Sequence, residues 1–446
     1  MYPKIYRALR LLWPGGMETR RHLRRLERTQ WLPPEEFRAF QRAQLQAIVR
    51  HAYEHVPFYR DLYRREGIHP DDIRTLSDFR RLPIITKSDV RANVERMLAD
   101  DVPRDRLVAN HTGGSTGEPL HFFVTDDFWW NNAANEFRAR RWHGVQEGER
   151  MAWLWGDQRD VPDWSWRRKL RARVMNHRFL NAFSLTEAKM EAFARLLQKW
   201  QPKLMMGYST TLFLFARFLQ ARGIANIRPR IIEATAEKLW KPQRQLIESV
   251  FQCPVIDHYS SREMGTMAYQ CEAGSLHALD DLCYLEIIAD GQPAAPGQLG
   301  RVVVTSFHHR AMPFIRYTND DMAVYSGQAC ACGRSLSTWQ EIAGRTNDYL
   351  VTVDGQFVHS EFFAYLLRAR PEVFSYQVHQ PDIAHLNVKV VCNQPVGEEW
   401  VAGIRKQIRE RFGPEMDISL AVVDDIPLTP SGKHRYIISE VQPDFD

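Results

Sequence analysis

From Pro34 to about Arg91, apolar and polar positions recur at helical spacing. Pro57, Pro70 and Pro83 break the pattern, and Thr86 stands as an N-cap before KSDVRANVERML. Short β-like apolar runs then alternate with helical stretches: LHFFVT near 120, MAWLWG near 151, KLMMGY near 203, PRIIEAT near 229 and PVIDHY near 254. Such alternation predicts α/β layers around a mostly parallel sheet. YLEII and GRVVVTSF add a strand-rich section that runs into RYTNDD. Beyond about residue 347 the texture changes to strand, helix, two strands, helix and strand, an α+β unit large enough to fold alone.

At the other end, MYPKIYRALRLLWPGGMETRRHLRRLERTQWL mixes aromatics with Arg20, Arg21, Arg24, Arg25 and Arg28 at helical spacing. It reads first as an arginine-faced surface helix packed by its apolar side, and second as a segment that could lie on an anionic membrane or grip phosphates.

Composition narrows the class. The chain has 446 residues, 44% of them hydrophobic, enough for two or three domains. No apolar run approaches the roughly 20 residues of a membrane span, so no stable membrane insertion is expected. Six cysteines and no apolar leader behind Met1 point to a cytoplasmic, reducing setting without structural disulfides. Fifty-nine basic against 54 acidic residues leave +5, which suits anionic small molecules; no nucleic-acid recognition motif accompanies it.

The sharpest local signal is His111-Thr-Gly-Gly-Ser-Thr-Gly-Glu-Pro119. Gly113, Gly114 and Gly117 let backbone N–H groups turn toward an oxyanion, while Thr112, Ser115 and Thr116 add hydroxyl donors. No lysine follows the last glycine, so this is a phosphate cradle distinct from the P-loop. Downstream, in order, come IIEATAEKLW, Asp257-His-Tyr-Ser-Ser-Arg-Glu263, Arg316-Tyr-Thr-Asn-Asp-Asp321, Gly344-Arg-Thr-Asn-Asp348 and Pro427-Leu-Thr-Pro-Ser-Gly-Lys433.

Together these segments resemble the signature set of AMP-forming adenylating enzymes (acyl-CoA synthetases, adenylation domains and luciferases), and most closely the phenylacetate-CoA ligase-like branch. HVPFYRDLYRREGIHPDDIRTLSDFRRLPIITKSDV, ahead of the cradle, resembles the same branch. The resemblance implies an α/β fold: a large ATP- and acid-binding domain over 1–346, with a helical region in 1–100, and a small mobile α+β lid over 347–446. It implies adenylation of a carboxylic acid by ATP with Mg²⁺, then transfer to CoA. Transfer to an amine, a hydroxyl or a carrier protein is the alternative, a degenerate nucleotide-binding module is a more distant one, and a homodimer is an open expectation.

Residue by residue, the resemblance makes Glu263 the Mg²⁺ ligand, against a plain helix-start Glu, and Tyr259 the aromatic on adenine. Asp257, Thr235, Ala236 and Glu237 border the base, and Asp321 takes the ribose hydroxyls, with Asp320 competing. Arg345 reaches ribose or phosphate, Asn347 is the hinge, and Lys433 is the adenylation lysine, against one more surface lysine. Arg316 reads as a structural anchor. Glu118 and Asn347 depart from the branch, which usually has a Lys or small residue and an Asp at these positions.

Cys271, His277, Cys330 and Cys332 have the residue types and spacing of a closed structural Zn²⁺ site; buried thiols with a surface histidine are the alternative, and Cys283 could replace Cys271. Cys253 and Cys392 read as ordinary strand cysteines. The acid pocket is expected from Trp155, Gly156, Tyr208, Ser209 and His258, with Trp153 and Trp155 equally readable as core. Arg138, Arg140 and Arg141 read as a solvated helix face, or else as a clamp for CoA phosphates.

Overall fold

In a computed structural model the chain is described at residues 6, 15–112, 120–155, 172–182, 185–345, 349–354, 357–359, 361–363, 366–367, 370–427 and 435–441. The N-terminal helices are α1 (Gly16–Thr29), α2 (Pro34–His55) and α3 (Pro57–Arg65). The break at Pro57 is present: α2 ends at His55, Val56 is extended, and a new helix begins. Pro57 occupies the first turn of α3, where its missing N–H costs nothing. Thr86 caps the short helix Lys87–Asn93 in a reciprocal box with Asp89, as the sequence suggests.

A hairpin of β1 (Val108–His111) and β2 (His121–Val124) follows, so LHFFVT pairs antiparallel beside the main sheet and not within it. Next come α4 (Asp126–Trp142), β3 (Met151–Trp155), β4 (His177–Asn181), α5 (Glu187–Trp200), β5 (Leu204–Tyr208), α6 (Ser209–Ala221), β6 (Ile231–Thr235), α7 (Lys241–Phe251) and β7 (Val255–Ser261). The strands β4, β3, β5, β6 and β7 lie side by side and parallel. The sheet continues antiparallel through β8 (Gly265–Gln270), β9 (Leu276–Ala278), β10 (Cys283–Ala289), β11 (Gln292–Pro293), β12 (Leu299–Ser306), β13 (Tyr317–Tyr325) and β14 (Thr338–Arg345).

The parallel half is covered on both faces, which explains why its strands are apolar throughout and do not alternate. Met205 and Ile232 pack with Phe193, Phe215, Ile247 and Phe251 of α5, α6 and α7. Their neighbours Leu204, Met206 and Ile231 point the opposite way and meet Ala139 of α4. At Gly207 a Cβ would lie 2.8 Å from the Leu154 carbonyl, so only glycine lets β5 run this close to β3.

α1 lays Leu23 and Leu26 against Ala134 of α4 and Leu282, leaving Arg20, Arg21, Arg24 and Arg28 outside, as an arginine-faced helix should. The reading of Arg138, Arg140 and Arg141 is corrected. Arg138 is 1% exposed and bonds Asp281, itself fully buried; Arg140 is bidentate to buried Glu233; Arg141 pairs with Glu27 and Glu147. Because α4 is sandwiched between α1 and the sheet, its arginines face protein on both sides, which neither a solvated face nor a phosphate clamp allows.

After β15 (Tyr349–Val351), β16 (Phe357–His359) and a short helix at Glu361–Phe363, a separate sheet forms from β17 (Val373–Asp382), β18 (His385–Cys392), β19 (Asp417–Val422) and β20 (Ile437–Ser439), in the order β19-β18-β17-β20. α8 (Glu398–Phe412) covers it with Ile404, Ile408 and Phe412 on Val378 and Val388. This is the large α/β part with a small α+β part that the pattern predicts. β20, parallel to β17, is an addition the pattern does not announce.

Breaking a buried ion pair by removing one partner strands the other charge, at a cost of about 3–5 kcal/mol. Arg138→Met should therefore lower unfolding stability by that amount in a urea titration, and Asp281→Leu in the same background should recover much of it.

Candidate active site

The carboxyl ends of the parallel strands converge: Tyr208 of β5 is in register with Thr235 of β6, and Thr235 with His258 of β7. In open α/β sheets this edge is where ligands bind. Trp155, at the end of β3, stacks on Tyr208 with ring centroids 4.3 Å apart and planes 23° from parallel. Ser209 is buried, its hydroxyl donating to the Glu237 carbonyl at 3.1 Å. The Glu237 carboxylate accepts from the Thr210 N–H, 2.9 Å away at the start of α6. Between them Ala236 has φ +65°, a left-handed conformation that costs a residue with a Cβ roughly 1–2 kcal/mol. Such strain clusters at ligand sites, where the surrounding structure holds it in place. Thr235 meets the Ser260 hydroxyl at 3.2 Å, which ties this turn to β7.

One strand over, Tyr259 donates its hydroxyl to Asp321 Oδ2 at 2.7 Å, and Asn319 Nδ2 donates to the same oxygen at 2.6 Å. Tyr317 donates to Glu263 Oε1 at 2.9 Å. Burial pushes the Tyr317 phenol well up, so it stays protonated as a donor. Five residues from β7, the following turn and β13 thus place two carboxylates, an amide and two tyrosines in one buried array. Tyr317, Asn319 and Asp321 alternate along β13, as a strand's period of two requires. Asn319 and Tyr317 are supports that motif reading passes over, although both lie inside RYTNDD.

The structure separates the two competing aspartates. Asp320 has φ +67° where the β12–β13 register shifts, and its half-exposed carboxylate turns out to Lys87 Nζ at 3.2 Å. Asp321 stays inside with Tyr259. Arg316 is anchored as expected: it bonds Glu286 through Nε at 3.0 Å and also reaches the carbonyls of Arg80 and Leu82. No donor set of that kind is left over for a ligand.

His258 does not line open space. It is buried, with Nε2 at 2.9 Å from Thr266 Oγ1 and Nδ1 facing Glu233 at 3.9 Å. Burial pushes its imidazole toward the neutral form. Side chains alternate along β7, so placing Tyr259 at the array turns His258 into the α4 face of the sheet. Burial works to raise the Glu233 carboxyl, but the bidentate Arg140 outweighs it and holds Glu233 below the usual range. Asp257 is shifted the other way by burial.

Thr112 closes the neck of the cradle by pairing with Leu120, N–H to carbonyl at 3.0 Å and hydroxyl from the Leu120 N–H at 2.9 Å. Gly113, Gly114, Ser115, Thr116, Gly117, Gly156, Asn347 and Lys433 lie outside the described residues. Arg345 is placed by its backbone alone, in register opposite Asp321.

Cys271, His277, Cys330 and Cys332 come together, with one ligand atom from each within 4.8 Å of the others. The Cys271 and Cys330 sulfurs are 3.6 Å apart, and Cys332 Sγ is 3.2 Å from His277 Nε2. His277 Nδ1 lies 3.1 Å from the Leu336 carbonyl, which fixes the tautomer and leaves Nε2 as the bare nitrogen facing the sulfurs. Cys283 lies apart, its thiol directed to the Leu279 carbonyl, and Cys253 and Cys392 stand elsewhere. Cys253 is in the turn before β7 and not in a strand.

Parallel strands whose carboxyl ends form one edge, buried carboxylates from the turn after β7 and from β13, and a small trailing α+β sheet make a layout shared with solved CoA ligases. In sequence the chain is similar to phenylacetate-CoA ligases. It is 28% identical over 332 residues to the phenylacetate-coenzyme A ligase of Escherichia coli K12, covering 71% of this chain and 73% of that one. It is 24% identical over 395 residues to Protein CapK of Staphylococcus aureus, covering 86% and 85%. Residues 350–440 match the family model described as the CapK C-terminal domain. Crystalline 2-hydroxyisobutyryl-CoA ligase in its postadenylation state superposes with a TM-score of 0.76 over 93% of this chain and 92% of that chain, at 19% identity, a likeness of fold.

Arg316 and Asp320 should separate by their effect on stability. Arg316→Met leaves Glu286 buried and unpaired and should lower the urea midpoint, by an amount equivalent to about 3 kcal/mol. Asp320→Asn, which loses only a half-exposed ion pair, should change stability by less than about 1 kcal/mol.

Proposed function

We propose that this protein is an AMP-forming acid–CoA ligase: a carboxylate attacks the α-phosphorus of ATP to give acyl-AMP and pyrophosphate, and the CoA thiol then displaces AMP. The observation that carries this reading is the buried array of Tyr259, Asp321 and Glu263 beside the strained turn at Ala236. It offers a ribose-binding carboxylate, an aromatic face and a second, oriented carboxylate within one crevice. The phenylacetate-coenzyme A ligases among its relatives support the acceptor as CoA.

In this reading Thr235, Ala236 and Glu237 border the adenine and Tyr259 stacks on it, while Asp257 sits at the base of the same crevice. Asp321 accepts from both ribose hydroxyls, as one carboxylate can. Its present donors, Tyr259 and Asn319, hold it in position until the ribose arrives. Arg345 approaches from the next strand. The cradle from Thr112 through Gly117 takes the departing phosphates. Glu263, held by Tyr317, offers the hard oxygen that Mg²⁺ favours; a bound Mg²⁺ would offset charge on the phosphate oxygens. Lys433 supplies the cation for the α-phosphate. We place the division into a substrate domain and a lid at about 346/347, with Asn347 as the pivot.

The acid is bounded by Trp155 and Tyr208, whose stacked rings make one apolar wall, with Gly156 next to Trp155 and Ser209 next to Tyr208 in sequence. The Cys271, His277, Cys330 and Cys332 group has the donor chemistry of a closed structural Zn²⁺ site, with no ligand position left for water. Thiolate ligation and six free cysteines fit a reducing, cytoplasmic compartment. Among the described residues no helix is long and apolar enough to cross a membrane.

A pyrophosphate-release screen over aromatic, aliphatic and hydroxy acids tests activity and substrate together. Lys433→Ala should cut adenylate formation by about 10²–10³-fold with ATP still bound; near-normal pyrophosphate release would remove Lys433 from this role. Asp321→Ala should weaken ATP by about tenfold or more, the value of a hydrogen bond to a charged group, whereas Asp320→Ala should leave ATP affinity unchanged. Adenylate that persists in the presence of CoA would transfer the second step to another acceptor. Protein purified without added metal should carry zinc, one equivalent of which Cys330→Ser removes; a folded, zinc-free wild type would rule the site out.

A further inference from the structure

We propose that His51, His55 and Asp101 form a second metal site, distinct from the cysteine group, for a divalent transition-metal ion such as zinc or nickel. His51 and His55 are four residues apart in the last turns of α2 and so share one face. Their rings lie 5.2 Å apart. Asp101 comes from a segment docked onto that helix end: the Asp100 N–H donates to the His55 carbonyl and the Ala99 N–H to the Ala311 carbonyl, each at 2.9 Å. One nitrogen from each imidazole and one Asp101 oxygen all lie within 4.8 Å of one another.

The orientation of His51 is what favours an ion over a simple polar cluster. Its Nε2 is 3.0 Å from the Arg310 carbonyl, an acceptor only, so Nε2 carries the proton and a neutral ring leaves Nδ1 bare. Nδ1 faces Asp101 Oδ2 at 3.7 Å, too far for a hydrogen bond. A nitrogen and a carboxylate oxygen held face to face repel unless a proton or a metal ion lies between them, and at 3.7 Å the spacing suits a shared metal ion better than a hydrogen bond. Two ligands about 2.0–2.2 Å from one tetrahedral ion are about 3.3–3.6 Å apart, so small side-chain rotations complete the geometry. The backbone carbonyl on the far side of His51 is the orienting partner that metal-binding imidazoles usually have. His55 is braced in turn by Asp100, at 2.9 Å from Nδ1.

Two imidazoles and one carboxylate select zinc, nickel or copper over magnesium or calcium, and leave positions for water. The ion would fasten the end of α2 to the 99–101 segment and to the loop at Arg310, a few residues before the Arg316 anchor.

The test uses the full chain, without an affinity tag, carrying Cys330→Ser and Cys332→Ser to silence the thiolate group. Calorimetric titration with Ni²⁺ should show one equivalent bound. Co²⁺ should give ligand-field bands without thiolate charge transfer, and the melting temperature should rise with metal. His55→Ala or Asp101→Asn should each weaken Ni²⁺ binding by about tenfold or more. If the cysteine variant does not fold, zinc-loaded wild type and its His55→Ala form are titrated with Ni²⁺ in the same way. Absence of a saturable equivalent in folded protein, or equal binding by His55→Ala and Asp101→Asn, would overturn the proposal and leave the cluster as proton-bridged ion pairs.

Discussion

The ion pair between Arg140 of α4 and Glu233 of β6 is the constraint on which the candidate site depends. Both groups are buried, and each would be costly alone. Paired bidentately, and with Tyr269 also donating to Glu233, they lock α4 across the centre of the parallel strands. Glu233 lies two residues before the strained turn at Thr235–Glu237. On the same face of the sheet it lies 3.9 Å from His258, whose strand neighbour Tyr259 points the other way to the crevice.

A second division of labour runs along β13. Arg316 and its contacts to Glu286, Arg80 and Leu82 pin the strand's entry to the N-terminal helical region. Tyr317, Asn319 and Asp321 face inward, and the left-handed Asp320 turns out to Lys87. Anchor, support and ligand candidate therefore occupy six consecutive residues, each given its environment by strand alternation and one local irregularity.

Much of this was legible in order and type. The five β-like runs formed strands where the pattern put them, and Thr86 capped its helix. Cys271, His277, Cys330 and Cys332 were recognisable from spacing in a chain without disulfides. What failed was the reading of environment. Arg138, Arg140 and Arg141 look like a solvated face because charged residues usually are exposed, yet α4 lies between α1, more than a hundred residues away in sequence, and the sheet, which takes Arg140 onto Glu233. His258 reads as a pocket residue for being next to Tyr259, but neighbours on a strand point to opposite faces. Tyr317 and Asn319 carry no signal of their own, because a hydrogen-bonding support is defined only by what it supports.

The sequence alone determined the succession of elements, the apolar faces and the set of chemically capable residues, since these follow from local periodicity, turn chemistry and motif order. Only the tertiary structure decided which aspartate turned inward, which arginines became buried and which histidines met carboxylates. Those outcomes depend on groups far apart in the chain whose desolvation is tolerable only when a specific partner arrives, and no local pattern records the partner.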